Sequence, residues 1–218
     1  MEKTVAPPRR LYGLQPSYMG VVDLDVTEFM YWLYCPIKAP HTGFHIPAQL
    51  EQFWPLVEKT LHVAYPKEYI YITAKRLWVT PDSPGNRPGW HSDGFMTNDC
   101  NFVWSDSNPT LFWEPQQCVD LTQDHKVSLD EMHEYAENNP QEWKTYPNKS
   151  LLFLDQYCIH RVADVKEAGM RTFVKISVSE NKYDMEGNSK NEPITKDWKY
   201  TKRKPERNAP SSVEVAKH

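Results

Sequence analysis

The chain has 218 residues, of which 39% are hydrophobic and 13% aromatic, and its formal net charge is −4 at pH 7. This length and apolar content predict one domain with its own hydrophobic core. No apolar stretch approaches the roughly 20 residues needed to span a bilayer, and the first residues lack the apolar region of a secretory signal peptide. The four cysteines show no Cys-x-x-Cys spacing, which favours free thiols in a reducing compartment over a disulfide framework. We therefore expect a cytoplasmic protein that does not interact with a membrane.

The first third of the chain carries helix patterns. Residues 26–34 form a short apolar and aromatic segment that ends before Pro36, and residues 47–64 form a longer segment. Pro55 lies inside the second segment and predicts a break or restart of the helix there. We therefore predict a helical part over residues 1–68 that supports the rest of the domain.

The middle of the chain alternates short β-type segments with loops. Residues 76–80 have a strand composition, and the nine residues that follow are rich in turn formers and lead to the residues 91–93. A Ser-Leu-Asp-Glu sequence has the form of a capping box and predicts a helix over 129–138. After it, residues 151–154 form an apolar run typical of a buried strand, and residues 171–179 form a β-rich run.

A pair of ligand-type residues follows the first loop. His91 and Asp93 are two positions apart, and His160 follows His91 by 69 residues. In an extended segment the positions i and i+2 face the same side, so Ser92 points away from both. Two imidazoles and one carboxylate are the ligand set of a non-haem Fe(II) site with open coordination positions. We therefore predict that His91, Asp93 and His160 bind one iron ion.

An arginine follows this set. Arg171 lies 11 residues after His160 and opens the β-rich run. Alternation along that run places Arg171, Phe173, Lys175 and Ser177 on one face. A guanidinium holds a carboxylate through two parallel, charge-assisted hydrogen bonds. Arg171 is therefore our candidate for binding an acidic co-substrate, and an arginine that reaches the surface is the alternative.

The order of these motifs resembles the iron(II)/2-oxoglutarate-dependent oxygenases, with the phytanoyl-CoA-hydroxylase-like and prolyl-hydroxylase-like branches as the nearest in style. The resemblance covers residues 70–180, and it is carried by three sequences: Trp90-His91-Ser92-Asp93-Gly94, Lys149 to Asp155 followed by His160-Arg161-Val162, and Arg171. It implies an α+β fold whose residues 69–180 form a double-stranded β-helix (a jelly roll, or cupin-like barrel) within one domain over residues 1–180. It also implies that the three metal ligands are catalytic and that O₂ and 2-oxoglutarate are consumed, with succinate and CO₂ released and a C–H bond hydroxylated.

The same resemblance implies that Arg171 binds the distal carboxylate of 2-oxoglutarate. Many members carry Arg-x-Ser, so that a hydroxyl helps to hold this carboxylate, but here the residue two positions after Arg171 is Phe173. The nearest hydroxyl on the same face is Ser177. The preceding strand offers three further hydroxyls: Tyr69, Tyr71 and Thr73. We take Tyr71 and Ser177 as the additional candidate residues for co-substrate binding.

The substrate class is less constrained. Residues 181–218 form a polar tail with a net charge of +3, whereas residues 1–180 carry −7. A nucleic-acid base as substrate requires base flipping and a basic approach surface, and the acidic body counts against it. We therefore favour a small-molecule substrate. A nucleic-acid base, a protein side chain, and a non-enzymatic cupin-like module that binds a metal or a ligand stay open as alternatives, and the sequence does not fix the oligomeric state.

Overall fold

The computed structural model describes residues 9–62 and 68–203. Within these ranges the fold is mostly antiparallel β-sheet with a few helices, so the predicted α+β class is confirmed. The strands are β1 (Arg9–Tyr12), β2 (Ser17–Val21), β3 (Trp32–Lys38), β4 (Tyr69–Val79), β5 (Cys100–Ser105), β6 (Thr110–Trp113), β7 (Val119–Thr122), β8 (Trp143–Thr145), β9 (Ser150–Leu154), β10 (Ile159–Val162) and β11 (Gly169–Ser179). The helices are α1 (Trp54–Thr60), α2 (His125–Glu137) and α3 (Glu192–Thr195), with 3₁₀ segments at Ala48–Phe53 and Pro140–Glu142. In the described ranges, none of these helices combines the length and the apolar character that crossing a bilayer requires.

Two sheets of unequal size carry most of the chain. The larger has six strands in the order β2-β9-β5-β11-β4-β3, and the smaller has three in the order β10-β6-β8. The segment at His91 extends the smaller sheet, because it pairs with His160 in β10. A separate two-stranded sheet joins β1 to β7. From β4 to β6 and again from β8 to β11, most consecutive segments belong to opposite sheets, so the two sheets are built together from the same stretch of sequence.

Strand β11 is the centre of the larger sheet. It pairs with β4 along its whole length and with β5 over six residues. The side chains of Val174, Ile176 and Val178 are buried in the main hydrophobic core, together with Leu50 and Leu56 from the helical segment. The opposite face carries Arg171, Phe173, Lys175 and Ser177, so the predicted alternation of this strand is observed. One strand therefore separates the main aliphatic core from a face that carries the charged side chains and a smaller hydrophobic cluster around Phe173.

Contrary to the prediction, the described residues of the N-terminal part, 9–62 and 68, are not mainly helical. Strands β1, β2 and β3 lie within it, and residues 26–34 are irregular up to the start of β3. A short apolar segment is compatible with the periodicity of a helix or of a strand. Here β3 adopts the extended conformation because it pairs with the edge of β4, and this pairing buries Cys35 and Ile37. The helix predicted over residues 47–64 is confirmed over its described part, as a 3₁₀ segment followed by α1 with Pro55 in the first turn.

Helix α2 begins four residues before the predicted start. Asp124 caps it, and its carboxylate accepts hydrogen bonds from the backbone N–H groups of Lys126 and Val127 at 3.0 and 2.9 Å. Glu131, taken from the sequence as part of a capping box, instead accepts hydrogen bonds from the backbone N–H and the hydroxyl of Thr122. Glu131 therefore joins the helix to β7 and does not cap the helix.

The segment after residue 180 packs against the body as far as residue 203. The buried side chain of Asn191 donates hydrogen bonds to the carbonyls of Pro36 and His45 at 2.8 and 2.6 Å. Ser189 and Leu33 exchange two further hydrogen bonds, both at 2.8 Å. These contacts fix the segment beside β3. The rest of the predicted tail, residues 204–218, lies outside the described residues.

Candidate metal centre

The structure brings the three predicted metal ligands together. The backbones of His91 and His160 exchange two hydrogen bonds, of 3.0 and 2.8 Å, and their imidazole rings lie on the same side with centroids 4.6 Å apart. Asp93 is 4.0 Å from Nε2 of His91 through Oδ1 and 3.8 Å from Nε2 of His160 through Oδ2. The candidate ligand atoms all lie within 4.8 Å of one another. This grouping can hold one metal ion.

A backbone carbonyl fixes the orientation of each imidazole through its Nδ1 atom. Nδ1 of His91 is 2.7 Å from the carbonyl oxygen of Gly89, and Nδ1 of His160 is 3.1 Å from that of Cys158. A carbonyl only accepts, so each Nδ1 carries the hydrogen and each Nε2 keeps a free lone pair. Histidine ligands of metals are commonly oriented in this way. Both free lone pairs lie beside the carboxylate of Asp93.

Ser92 takes the opposite side of the segment. Its buried hydroxyl donates a hydrogen bond to the carbonyl of Gln156. The alternation inferred from the His-x-Asp spacing is therefore present. Gly94, with a φ of +73°, then turns the chain away from the site, in a backbone conformation that favours glycine.

The protonation states suit a cation. Burial lowers the pKa of His91 to about 3, with a further contribution from His160, and burial also lowers the pKa of His160. Burial alone would raise the pKa of Asp93, but the ammonium of Lys175 and the two imidazoles hold it well below its usual range. At neutral pH the group is therefore two neutral imidazoles and one carboxylate. That is the state in which these side chains bind metals.

Lys175 is a fourth member of the site. Its ammonium donates hydrogen bonds to Oδ2 of Asp93 at 2.9 Å and to the hydroxyl of Tyr34 at 3.2 Å. Burial lowers the pKa of Lys175, but Asp93 and Tyr34 raise it by more, so it remains charged. Tyr34 reaches the site because β3 has an irregular register between Trp32 and Cys35, and Tyr34 itself has a φ of 44°. A bulge of this kind redirects a side chain and is not signalled by the local sequence.

Arg171 is buried, with 2% of its surface exposed, so the surface alternative is wrong. Its Nε donates to the carbonyls of Ser107 and Asn108 at 3.1 and 2.8 Å, and its Nη1 donates to Oδ1 of Asn86 at 2.8 Å. Nη2 has no hydrogen-bond partner among the described residues. One edge of the guanidinium is therefore held by the protein, while the other keeps free donors.

The other two residues proposed for co-substrate binding are engaged elsewhere. The hydroxyl of Ser177 donates to Oδ1 of Asn101 at 2.6 Å. The hydroxyl of Tyr71 donates to the carbonyl of Asn181 and accepts from the backbone N–H of Tyr183, both at 2.9 Å. These two residues share the face of Arg171, but they lie six positions along the ladder, which is roughly 20 Å in a strand. The structure therefore does not place them beside Arg171.

No protein-family model matches this chain, and no curated protein has a matching sequence.

The contact between Lys175 and Asp93 predicts a stability effect that depends on metal. We expect Lys175→Met to lower the free energy of unfolding of the metal-free protein by about 2–3 kcal/mol, because it leaves a mostly buried carboxylate without its partner. Saturating Mn(II) should reduce that loss, since a bound cation provides a new partner for Asp93. Urea unfolding with and without Mn(II) measures both values.

The exposed Lys166→Met is the matched control, because it removes one lysine charge that takes part in no ion pair of the described residues. It should change neither value by more than about 0.5 kcal/mol. An equal loss for Lys175→Met with and without Mn(II) would contradict the assignment of Asp93 as a ligand.

Proposed function

We propose that the protein is a non-haem Fe(II), 2-oxoglutarate-dependent oxygenase that hydroxylates a C–H bond of a small molecule and releases succinate and CO₂. The observation that carries this proposal is the convergence of His91, Asp93 and His160, with both free Nε2 atoms beside one carboxylate. Within the described residues no fourth His, Cys, Asp or Glu joins this group. Structural zinc sites use four protein ligands, whereas three leave positions for a co-substrate and O₂.

The strand order supports the finer description of the fold. Four neighbouring strands of the larger sheet, β9-β5-β11-β4, face the group formed by the His91 segment, β10, β6 and β8. The chain passes between these two groups as it would in a double-stranded β-helix. The hydrogen-bonded ladders of the described residues do not join the two groups into a closed barrel. We therefore keep the double-stranded β-helix as part of the proposal.

The side chains have distinct roles in this proposal. His91, Asp93 and His160 hold the iron, which supplies the activation of O₂ when 2-oxoglutarate is also bound. Lys175 holds one oxygen of Asp93, so the carboxylate presents the other oxygen to the cation. The free edge of Arg171 receives the distal carboxylate of the co-substrate. Leaving a buried donor such as Nη2 unpaired costs about 1–3 kcal/mol, and a bound carboxylate would recover that free energy.

Metal binding is the first expected property. Protein reconstituted with Fe(II) under argon should bind one equivalent and develop a weak visible charge-transfer band when 2-oxoglutarate is added. Asp93→Ala should remove the band, because the ligand set loses its only carboxylate. Circular dichroism provides the folding control for the variant. An undiminished band in Asp93→Ala would rule out this ligand set.

Turnover is the second expected property. Fe(II)-loaded protein should convert 2-oxoglutarate to succinate slowly in the absence of the primary substrate, and His160→Ala should lack this activity because it loses an imidazole ligand. Succinate can be quantified by mass spectrometry in air and under argon. Succinate formation no higher than in His160→Ala would favour the non-enzymatic binding module.

Co-substrate affinity should depend on the shape of the cation at position 171. Arg171→Lys keeps the charge but loses the planar fork, so affinity for 2-oxoglutarate should fall about tenfold or more. Calorimetric titration of the Mn(II)-loaded protein measures this change independently of turnover. Affinities equal to that of the parent protein would mean that Arg171 does not bind the co-substrate.

A further inference from the structure

A second cation lies beside Arg171 on the interior face of the larger sheet. Lys75 in β4 is the cross-strand partner of Phe173 in β11. Its Nζ lies 5.5 Å from the centroid of the Phe173 ring, and the guanidinium carbon of Arg171 lies 5.0 Å from the same centroid. The two cations therefore share one aromatic ring and face the same interior space.

Neither cation is neutralised by an acidic partner. Among the described residues no Asp or Glu forms an ion pair with Lys75 or Arg171. Asp106 acts on Arg171 from a longer distance, and its carboxylate accepts hydrogen bonds from Thr172 and Ser107. Burial, Arg171 and Lys175 together lower the pKa of Lys75 to about 8. Partly buried cations that repel one another without a paired acid are typical of a site that binds an anion.

The loop before the metal ligands holds the two cations in place. The carbonyl of Gly85 accepts a hydrogen bond from Lys75, and the side chain of the next residue, Asn86, accepts one from Arg171. Gly85 has a φ of +77°, and a Cβ there would lie 2.7 Å from Cδ1 of Leu77. Glycine is therefore what allows the loop to approach this closely. The loop therefore orients both cations, while Nη2 of Arg171 is buried without a hydrogen-bond partner among the described residues.

We propose that Lys75 is a second anchor of the co-substrate and that its ammonium binds the distal carboxylate of 2-oxoglutarate together with the free edge of Arg171. This inference rests on the proposed function. A carboxylate has two oxygens that accept several hydrogen bonds, and the free edge of one guanidinium does not satisfy them all. Phe173 has no donor, whereas Lys75 directly across the ladder has one.

Two neighbouring positive charges at the distal carboxylate should select for a dicarboxylate. A 2-oxo acid of the same length whose distal carboxylate is replaced by a methyl group, 2-oxohexanoate, tests this directly. It keeps the group that approaches the metal but offers nothing to Lys75. The effect of removing Lys75 should therefore be large for 2-oxoglutarate and small for 2-oxohexanoate.

The experiment is calorimetric titration of the full chain, loaded with Mn(II), at pH 7. Lys75→Met should weaken 2-oxoglutarate binding about 10- to 100-fold, which corresponds to one charged hydrogen bond. Its effect on 2-oxohexanoate should be less than about threefold. Lys75→Arg should retain most of the affinity, and Lys166→Met, the exposed control, should retain all of it.

A second measurement requires no variant that might fail to fold. The affinity of the parent protein for 2-oxoglutarate should fall as the pH rises above about 8, because Lys75 then loses its proton. The charged groups that face Lys75 are Arg171 and Lys175, both on β11. Neither loses its proton in this range, because the pKa of Arg171 is lowered only to about 10 and that of Lys175 is raised. Lys75→Arg should therefore bind with little change between pH 7 and pH 9.

The outcomes separate this inference from the proposed function. Tight binding of 2-oxoglutarate by the parent and by Lys75→Met, with loss in Arg171→Lys, would overturn the role of Lys75 and leave the proposed function standing. An equal loss for both 2-oxo acids would make Lys75 a structural residue and would also overturn the inference. If the Mn(II)-loaded parent binds no 2-oxoglutarate, the proposed function fails and this inference fails with it.

Discussion

The backbone bridge between His91 and His160 is the constraint on which the centre depends. Two antiparallel residues that exchange both of their N–H···O bonds lie directly opposite one another, and their side chains face the same side. That pairing brings two imidazoles from positions 69 residues apart to a centroid distance of 4.6 Å. The position of the Asp93 side chain then follows from strand alternation alone, because Asp93 is two residues beyond His91. A slip of one residue in this pairing would send the imidazoles to opposite faces.

Strand β11 provides the second constraint, because it connects the candidate metal centre to the hydrophobic core. Its aliphatic face is fixed by the packing of Val174, Ile176 and Val178 against the core. The strand therefore cannot rotate about its axis, and Lys175 on its other face is held beside Asp93. Long β4 and β5 partners on both sides restrict the strand further. The precision of the centre thus comes from packing on the side of the sheet that faces away from it.

Sequence patterns were sufficient to predict that His91, Asp93 and His160 come together, which side chains share a face of β11, and the helix beginning after Pro47. They were insufficient wherever the position of a residue depends on pairing with a distant strand. Tyr34 enters the site through an irregularity in β3, and Lys75 is opposite Phe173 only because of the β4–β11 register. Ser177 illustrates the same limit, since alternation assigned the correct face but could not show which side chain its hydroxyl would contact.

The balance of charge in the interior favours an anionic ligand over a neutral one. The described charged groups near this face include four cations, Lys75, Arg87, Arg171 and Lys175, and three carboxylates, Asp93, Asp99 and Asp106. Lys175 already compensates Asp93, so a divalent cation at the centre would add to an existing excess of positive charge. In a partly desolvated space that excess costs free energy, and the cost falls when a dianion binds. If the proposed function holds, metal and co-substrate would stabilise each other's binding, because the cation attracts the 2-oxo acid and the acid reduces the repulsion between the cation and the lysines.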